Sequence, residues 1–271
     1  MTDIQPIQFD GEVKSNSVRA KILQQEPFAI RTFTPSQCVI SHSAGSYHYT
    51  PEGRKLADFT SGVLVANLGH NPVAWWNRVV GYLGLEAIKE GGEYANSVPL
   101  TAYNAITEIE SQANERLIAN LQAAPGGNRI NQIMWSASGS EAVQKALWAA
   151  IKYQPGKDMI IATRNGFHGK KGLAGAVTGS EKDKERDERV RFISFPKTEC
   201  DDVETRKQPI DLKPYQQELD TLWEKHGDRL CCVITEPYLG GGGSYHPQKE
   251  YLQLLQAFCR EHNLVFILDE I

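Results

Sequence analysis

The chain has 271 residues, 41% of them apolar and 23% charged, a composition that suits a folded protein of one large or two modest domains with a sizeable core. Its formal net charge of −4 excludes the basic footprint that a nucleic-acid backbone demands. No apolar run reaches bilayer length, and the start Met1-Thr2-Asp3-Ile4-Gln5-Pro6 lacks the parts of a signal peptide, so a cytoplasmic protein with no membrane or nucleic-acid partner is expected.

Residues 1–53 alternate short apolar groups with Pro, Ser and Gly, which predicts irregular chain and short strands in a small separate layer, with no long periodic helix. Residues 54–271 are then expected to form the main domain. From Asn131 onward short β-rich runs alternate with polar loops and amphipathic helices. The runs are Gln132–Trp135, Met159–Ala162, Arg191–Phe195, Leu230–Ile234 and Leu264–Leu268. Continuous apolar strands separated by helices predict an α/β fold, mainly a buried parallel sheet with helices on both faces.

Three helices can be placed. Ala142, Val143, Ala146, Leu147, Ala150 and Ile151 form one apolar stripe, and Tyr251, Leu254, Leu255, Phe258 and Cys259 form another. A third starts near Pro214, runs through Leu219, Leu222 and Trp223, and stops at Gly227. The mixed charges of Glu181 to Arg191 predict a solvated loop or helix face. Cys38, Cys200, Cys231, Cys232 and Cys259 are odd in number and lack C-x-x-C spacing, so reduced core thiols are expected.

Ligands of an open parallel sheet bind beyond the carboxyl ends of its strands. After Trp135, Ser138 and Glu141 have capping-box spacing, which starts a helix at Gly139. The amides of Gly139 and Ser140 then lie at a positive helix end, where a phosphate is held; taken alone, the loop is equally a plain capped helix. Asn165 to Gly172 sets Phe167 and His168 between glycines, and Phe167 is either a stacking platform or core. Glu236-Pro237 puts a carboxylate at another strand end, ahead of Gly240 to Gly243. Asp269 ends the last strand, where a carboxylate can keep a ring nitrogen protonated or can cap a helix.

In this order and spacing, Asp58-Phe59-Thr60-Ser61-Gly62, Asn67-Leu68-Gly69-His70-Asn71-Pro72, Ser138-Gly139-Ser140-Glu141-Ala142, Phe167-His168-Gly169, Glu236-Pro237 and Leu268-Asp269-Glu270-Ile271 closely resemble the class III aminotransferases, pyridoxal phosphate enzymes of fold type I. The resemblance runs from about Tyr49 to the last residue. It implies the large domain of that fold and a cofactor site in which Gly139 and Ser140 bind the phosphate. Phe167 would stack on one face of the pyridine ring, Ile271 would pack on the other, and Asp269 would pair with its nitrogen. His168 and Glu236 are counted with the same cradle.

The resemblance also implies an amine or amino acid donor, a keto acid acceptor and a homodimer. Two departures stand out. Gly241 occupies the place of a Glu that many members acting on ω-amino acids carry. The family's Schiff-base lysine lies a few tens of residues past the Asp-Glu strand, so no catalytic lysine is expected within residues 1–271, nor is the C-terminal small domain. Lys145, Lys170 and Lys171 do not stand in for that lysine by position. The 271 residues alone are therefore expected to be inactive. The alternatives are a non-catalytic phosphorylated-ligand or partner-binding chain, or another fold type I activity such as an aminomutase or decarboxylase. His70, His168 and His246 lack metal-ligand spacing, and no metal is expected.

Overall fold

Alternate residues of the buried strands divide into two apolar layers, and this alternation organises the larger part of the molecule. The computed structural model describes residues 6–26, 37–90, 92–99, 101–102, 105–183 and 186–271. The expectations that touch residues 1–5, 27–36 and 184–185 lie outside these. The chain forms two compact units, Met1–Glu115 and Arg116–Ile271.

In the first unit, β1 (His42–Ala44), β2 (Tyr47–Tyr49) and β3 (Lys55–Ala57) make an antiparallel sheet. The expected domain division after Gly53 falls in the turn between β2 and β3, where Thr50 N donates to Arg54 O, so this sheet runs across it. A helix was not expected before Gly53, yet α1 covers Val13–Gln25. No apolar stripe marks α1, because its buried residues are Ser15 and Arg19. Polar bonds fix it instead: Ser15 to Glu52, and Arg19 to Gln37 O and Glu12. A short turn α2 (Ser61–Leu64), helix α3 (Val73–Leu83) and helix α4 (Glu108–Gln122) follow, α4 spanning the division between the units.

The second unit holds α5 (Gly139–Tyr153), β4 (Met159–Thr163), α6 (Gly172–Ala176), β5 (Val190–Ile193), α7 (Val203–Arg206), α8 (Lys213–His226), β6 (Leu230–Thr235), α9 (Lys249–Glu261) and β7 (Val265–Leu268). The four strands are parallel in the order β5-β4-β6-β7. Met159, Ile161, Ile193 and Val233 pack with Tyr215 and Leu219 of α8 and with Tyr251, Leu255 and Phe258 of α9. Ile160, Ala162, Phe192 and Ile234 pack on the other face with Val143 and Leu147 of α5 and Leu173 of α6. The expected α/β sheet with helices on both faces is therefore present, as is the helix from Pro214 to the stop at Gly227.

Two expectations fail here. Gln132–Trp135 is not a strand: it has no ladder partner among the described residues, and Met134 and Trp135 are exposed. An apolar run becomes a strand only through a neighbour's hydrogen bonds. Cys38 is exposed rather than a core thiol, although Cys200, Cys231, Cys232 and Cys259 are buried and free. A register shift between Met159 and Ile160 against β6 sets the adjacent Cys231 and Cys232 in the same apolar layer, their sulfurs 3.7 Å apart. Among the described residues no helix is long and apolar enough to cross a membrane.

Candidate functional site

The candidate site lies where the carboxyl ends of β4, β6 and β7 meet the start of α5. Ser138 caps α5 by accepting from Glu141 N at 3.2 Å, so the helix begins at Gly139 as the spacing predicts. The reciprocal bond is shifted by one residue, because Glu141 Oε2 accepts from Ala137 N at 2.7 Å rather than from the cap's own amide. Lys145 and that amide hold the Glu141 carboxyl below the usual range. Lys145 is itself tied to Glu141 at 2.9 Å and to Trp135 O at 2.7 Å, a structural role at the helix base. Gly139 is exposed, Ser140 half-buried, and a Cβ at Gly139 would lie 3.7 Å from Ile271 Cδ1. Those two expected cradle residues are brought together across most of the domain's sequence.

At the centre, β4 runs into the loop that carries Phe167 and His168. The His168 side chain is buried, and its Nδ1 lies 2.9 Å from Asp269 Oδ2 at the end of β7. Its Nε2 is buried with no hydrogen-bond partner. A carboxylate only accepts, so the network assigns the tautomer in which Nδ1–H donates to Asp269 and Nε2 carries the lone pair; an Nε2–H would be an orphaned buried donor. The backbone fixes both partners. His168 N donates to Thr178 Oγ1 at 2.8 Å, and Asp269 N donates to Thr235 O at 2.9 Å. A Cβ on Gly166 would stand 2.8 Å from His168 Nε2, so only glycine leaves room for the ring.

Glu236 lies deeper than a direct ligand contact would need. It is 3% exposed, and its two oxygens accept from Phe167 N and Gly240 N, each at 2.7 Å. Both oxygens are spent on backbone amides, so Glu236 sets the position of Phe167. The Phe167 ring remains half-exposed, and so does not belong to the core, while Ile271 is largely exposed. Gly241 sits against the same loop, where a Cβ would make ordinary contact with Phe167 Cβ at 3.5 Å.

A half-exposed aromatic, an exposed aliphatic side chain, an anionic carboxylate fixed from behind and an open helix N-terminus suit a flat, protonated heteroaromatic ring bearing a phosphate. The His168 ring supports this fit, since it is sealed from solvent and braces Asp269 from behind while the carboxylate keeps a 12% exposed side. Thr178 and Thr235 support the site but carry no mark in the sequence, because their roles are contacts, one through a hydroxyl and one through a carbonyl, made across loops. A further grouping joins His48, Asp58 and His70 in the first unit. The histidine spacing alone did not suggest it.

Comparison with known proteins bears on this site. The sequence model described as aminotransferase class-III matches residues 30–271. The chain is 28% identical over 245 residues to the uncharacterized aminotransferase YodT of Bacillus subtilis, covering 86% of this chain and 51% of the relative. It is 27% identical to an omega-aminotransferase of Caulobacter vibrioides, covering 89% and 54%, and 29% identical to an acetylornithine aminotransferase of Clostridium acetobutylicum, covering 90% and 55%. It thus spans about half the length of these relatives. Among solved structures, a Bacillus anthracis aminotransferase superposes with a TM-score of 0.72 at 18% identity, over 94% of this chain and 55% of that one. An S-selective transaminase from Bacillus megaterium gives 0.71 at 19%, over 93% and 55%.

Proposed function

The chain belongs to the class-III aminotransferase family, and from that premise we propose that it carries the cofactor cradle of a pyridoxal phosphate-dependent aminotransferase. The reaction would move an amino group from an amine or amino acid to a keto acid. The observation that carries this reading is the Asp269 carboxylate, clamped by a buried His168 at a strand end beside the open start of α5. The relatives named omega-aminotransferase and acetylornithine aminotransferase support amino transfer as the reaction class.

When bound, pyridoxal phosphate supplies an electron sink that stabilises negative charge at the substrate's α-carbon. Asp269 would pair with the protonated pyridine nitrogen, and His168 fixes the Asp269 side chain for that contact. The amides of Gly139 and Ser140 take the phosphate at the positive end of α5. Phe167 and Ile271 would pack against the two faces of the ring, and Glu236 keeps Phe167 in position through its backbone. The lysine that would bond the cofactor is assigned outside residues 1–271, as the family resemblance implies; Lys145 is engaged with Trp135 and Glu141. The proposal includes a homodimer, on the resemblance alone, and a cytoplasmic location, supported by five unpaired thiols.

Titrating the 271-residue chain with pyridoxal 5′-phosphate, followed by fluorescence quenching, tests the cradle. One saturable site per chain is expected, weakened at least about tenfold by Asp269→Ala and by Gly139→Val, a ratio of about 1.4 kcal/mol. Equal binding by both variants and the native chain would sink the proposal.

A further inference from the structure

His48, Asp58 and His70 come from three separate segments of the first unit, and their nitrogen and oxygen atoms lie within 4.8 Å of one another. β2 carries His48, the end of β3 leads into Asp58, and His70 is bridged to Gly45 between β1 and β2. That bridge needs a close backbone approach. Gly45 and His70 exchange two backbone hydrogen bonds at 2.8 and 2.9 Å, and a Cβ on Gly69, whose φ is +79°, would press against the Gly45 backbone at 3.3 Å. The two imidazoles end with ring centroids 4.5 Å apart.

The three side chains are oriented from behind, as metal ligands are. Asp58 Oδ1 accepts from Thr60 N and Thr60 Oγ1, each at 2.8 Å, and from Ser61 N at 2.9 Å. This turns Oδ2 toward the histidines, 2.7 Å from His70 Nε2 and 3.5 Å from His48 Nε2. On the other side of its ring, His48 Nδ1 lies 2.6 Å from Ser43 Oγ, its cross-strand partner. Ser43 Oγ can accept from His48 Nδ1–H or donate to Nδ1, and in the first arrangement the Nε2 lone pair faces Asp58 Oδ2 at 3.5 Å. In that arrangement His48 Nε2 and Asp58 Oδ2 are two electron-pair donors placed to share a cation.

We propose that His48, Asp58 and His70 form a binding site for a divalent transition ion of the zinc type. Bonds of about 2.0–2.2 Å set the edge of a tetrahedral site near 3.4 Å, so the His48–Asp58 separation already fits. The His70–Asp58 separation opens by about 0.7 Å as the ion replaces the hydrogen-bonded proton. Two imidazoles and one carboxylate select zinc, cobalt or nickel over magnesium or calcium. The His48 and His70 side chains are 19% and 17% exposed, so a fourth position stays open to solvent. The site lies within the first unit.

The test uses the 271-residue chain, stripped with a chelator and titrated with Co²⁺ and then Zn²⁺. One ion per chain and a ligand-field band of low-symmetry Co²⁺ are expected. His48→Gln and His70→Gln should each weaken binding at least about tenfold, and Ser43→Ala about tenfold, because orienting partners contribute 10–100-fold to metal affinity. His246→Gln, whose ring stacks on Tyr238, should leave binding unchanged. Circular dichroism checks the fold of each variant, and His48→Gln with Ser43→Ala keep the test open if His70→Gln unfolds. Absent uptake of both ions, or uptake equal to the native chain in folded His48→Gln and Ser43→Ala, overturns the proposal.

Discussion

His168 Nδ1 meets Asp269 Oδ2 at 2.9 Å across 101 residues of sequence, joining the loop after β4 to the end of β7. The imidazole is sealed from solvent, and the carboxylate is 12% exposed, so the pair has a closed side and an open side. That asymmetry makes Asp269 a fixed charge available to a ligand. His168→Ala leaves Asp269 without its charge-assisted donor, and we expect a loss of about 1–3 kcal/mol in folding stability. Pyridoxal phosphate binding should weaken in parallel. Urea denaturation and a cofactor titration on the same samples check both outcomes, and unchanged values in the two would show that the pair is idle.

Gly166→Ala tests the space around that ring. The added methyl would stand 2.8 Å from His168 Nε2, and the ring cannot retreat without leaving Asp269. Overpacking of this kind costs about 1–3 kcal/mol. A thermal melt should show it, and the Gly166→Ala, His168→Ala double variant should recover part of the loss because the clash partner is gone.

Glu236→Gln separates a bracing role from a ligand role. Glutamine keeps the shape but can accept only one of the amide bonds, leaving Phe167 N or Gly240 N facing an NH₂ group. The expected loss is about 1.5–3 kcal/mol. Amide hydrogen exchange should quicken at Phe167 and Gly240; protection unchanged at both would refute the bracing role.

Acid stability depends on Glu52, which ties α1 to the turn after β2. Hydrogen bonds from the Ser15 hydroxyl, at 2.7 Å, and the Ser15 amide, at 2.8 Å, lower its pKa from the ordinary 4.5 to about 2. Because the folded state has the depressed value, the stabilisation is full above about pH 4.5 and fades as the pH falls to about 2. Glu52→Gln should therefore be less stable than the native chain at neutral pH, and the two stability curves should converge below about pH 2. Denaturation curves across that range decide it, and a constant gap would contradict the assignment.

Removing the cap of α5 affects the proposed phosphate end directly. Ser138→Ala loses the bond to Glu141 N and should cost about 0.5–2 kcal/mol. Ser138→Asp should restore stability, since aspartate caps equally well and its charge suits the helix end. A melting temperature series on the three proteins reads this out.

Local patterns determined much of the molecule. The apolar runs of β4, β5, β6 and β7, the stripes of α5 and α9, the Pro214 start and Gly227 stop of α8, and the Ser138–Glu141 cap all depend on residues near in sequence, where spacing and propensity act. Phe167 and Asp269 could be singled out because they follow such strands, and Gly139 and Ser140 because they follow the Ser138 cap. Whatever required two distant segments was decided by the tertiary structure alone. Gln132–Trp135 reads as a strand but has no ladder partner among the described residues, and α1 forms without an apolar stripe because Glu52, Gln37 and Glu12 hold its polar face. Glu236 reads as a site carboxylate, yet its oxygens close on the amides of Phe167 and Gly240. His168, Asp269, Asp58 and His70 each stand in stretches the sequence marks, but that His168 meets Asp269, and that His48, Asp58 and His70 meet, has no signature in it. Hydrogen bonds and ion coordination act over about 3 Å in space, and only the folded chain sets which residues come that near.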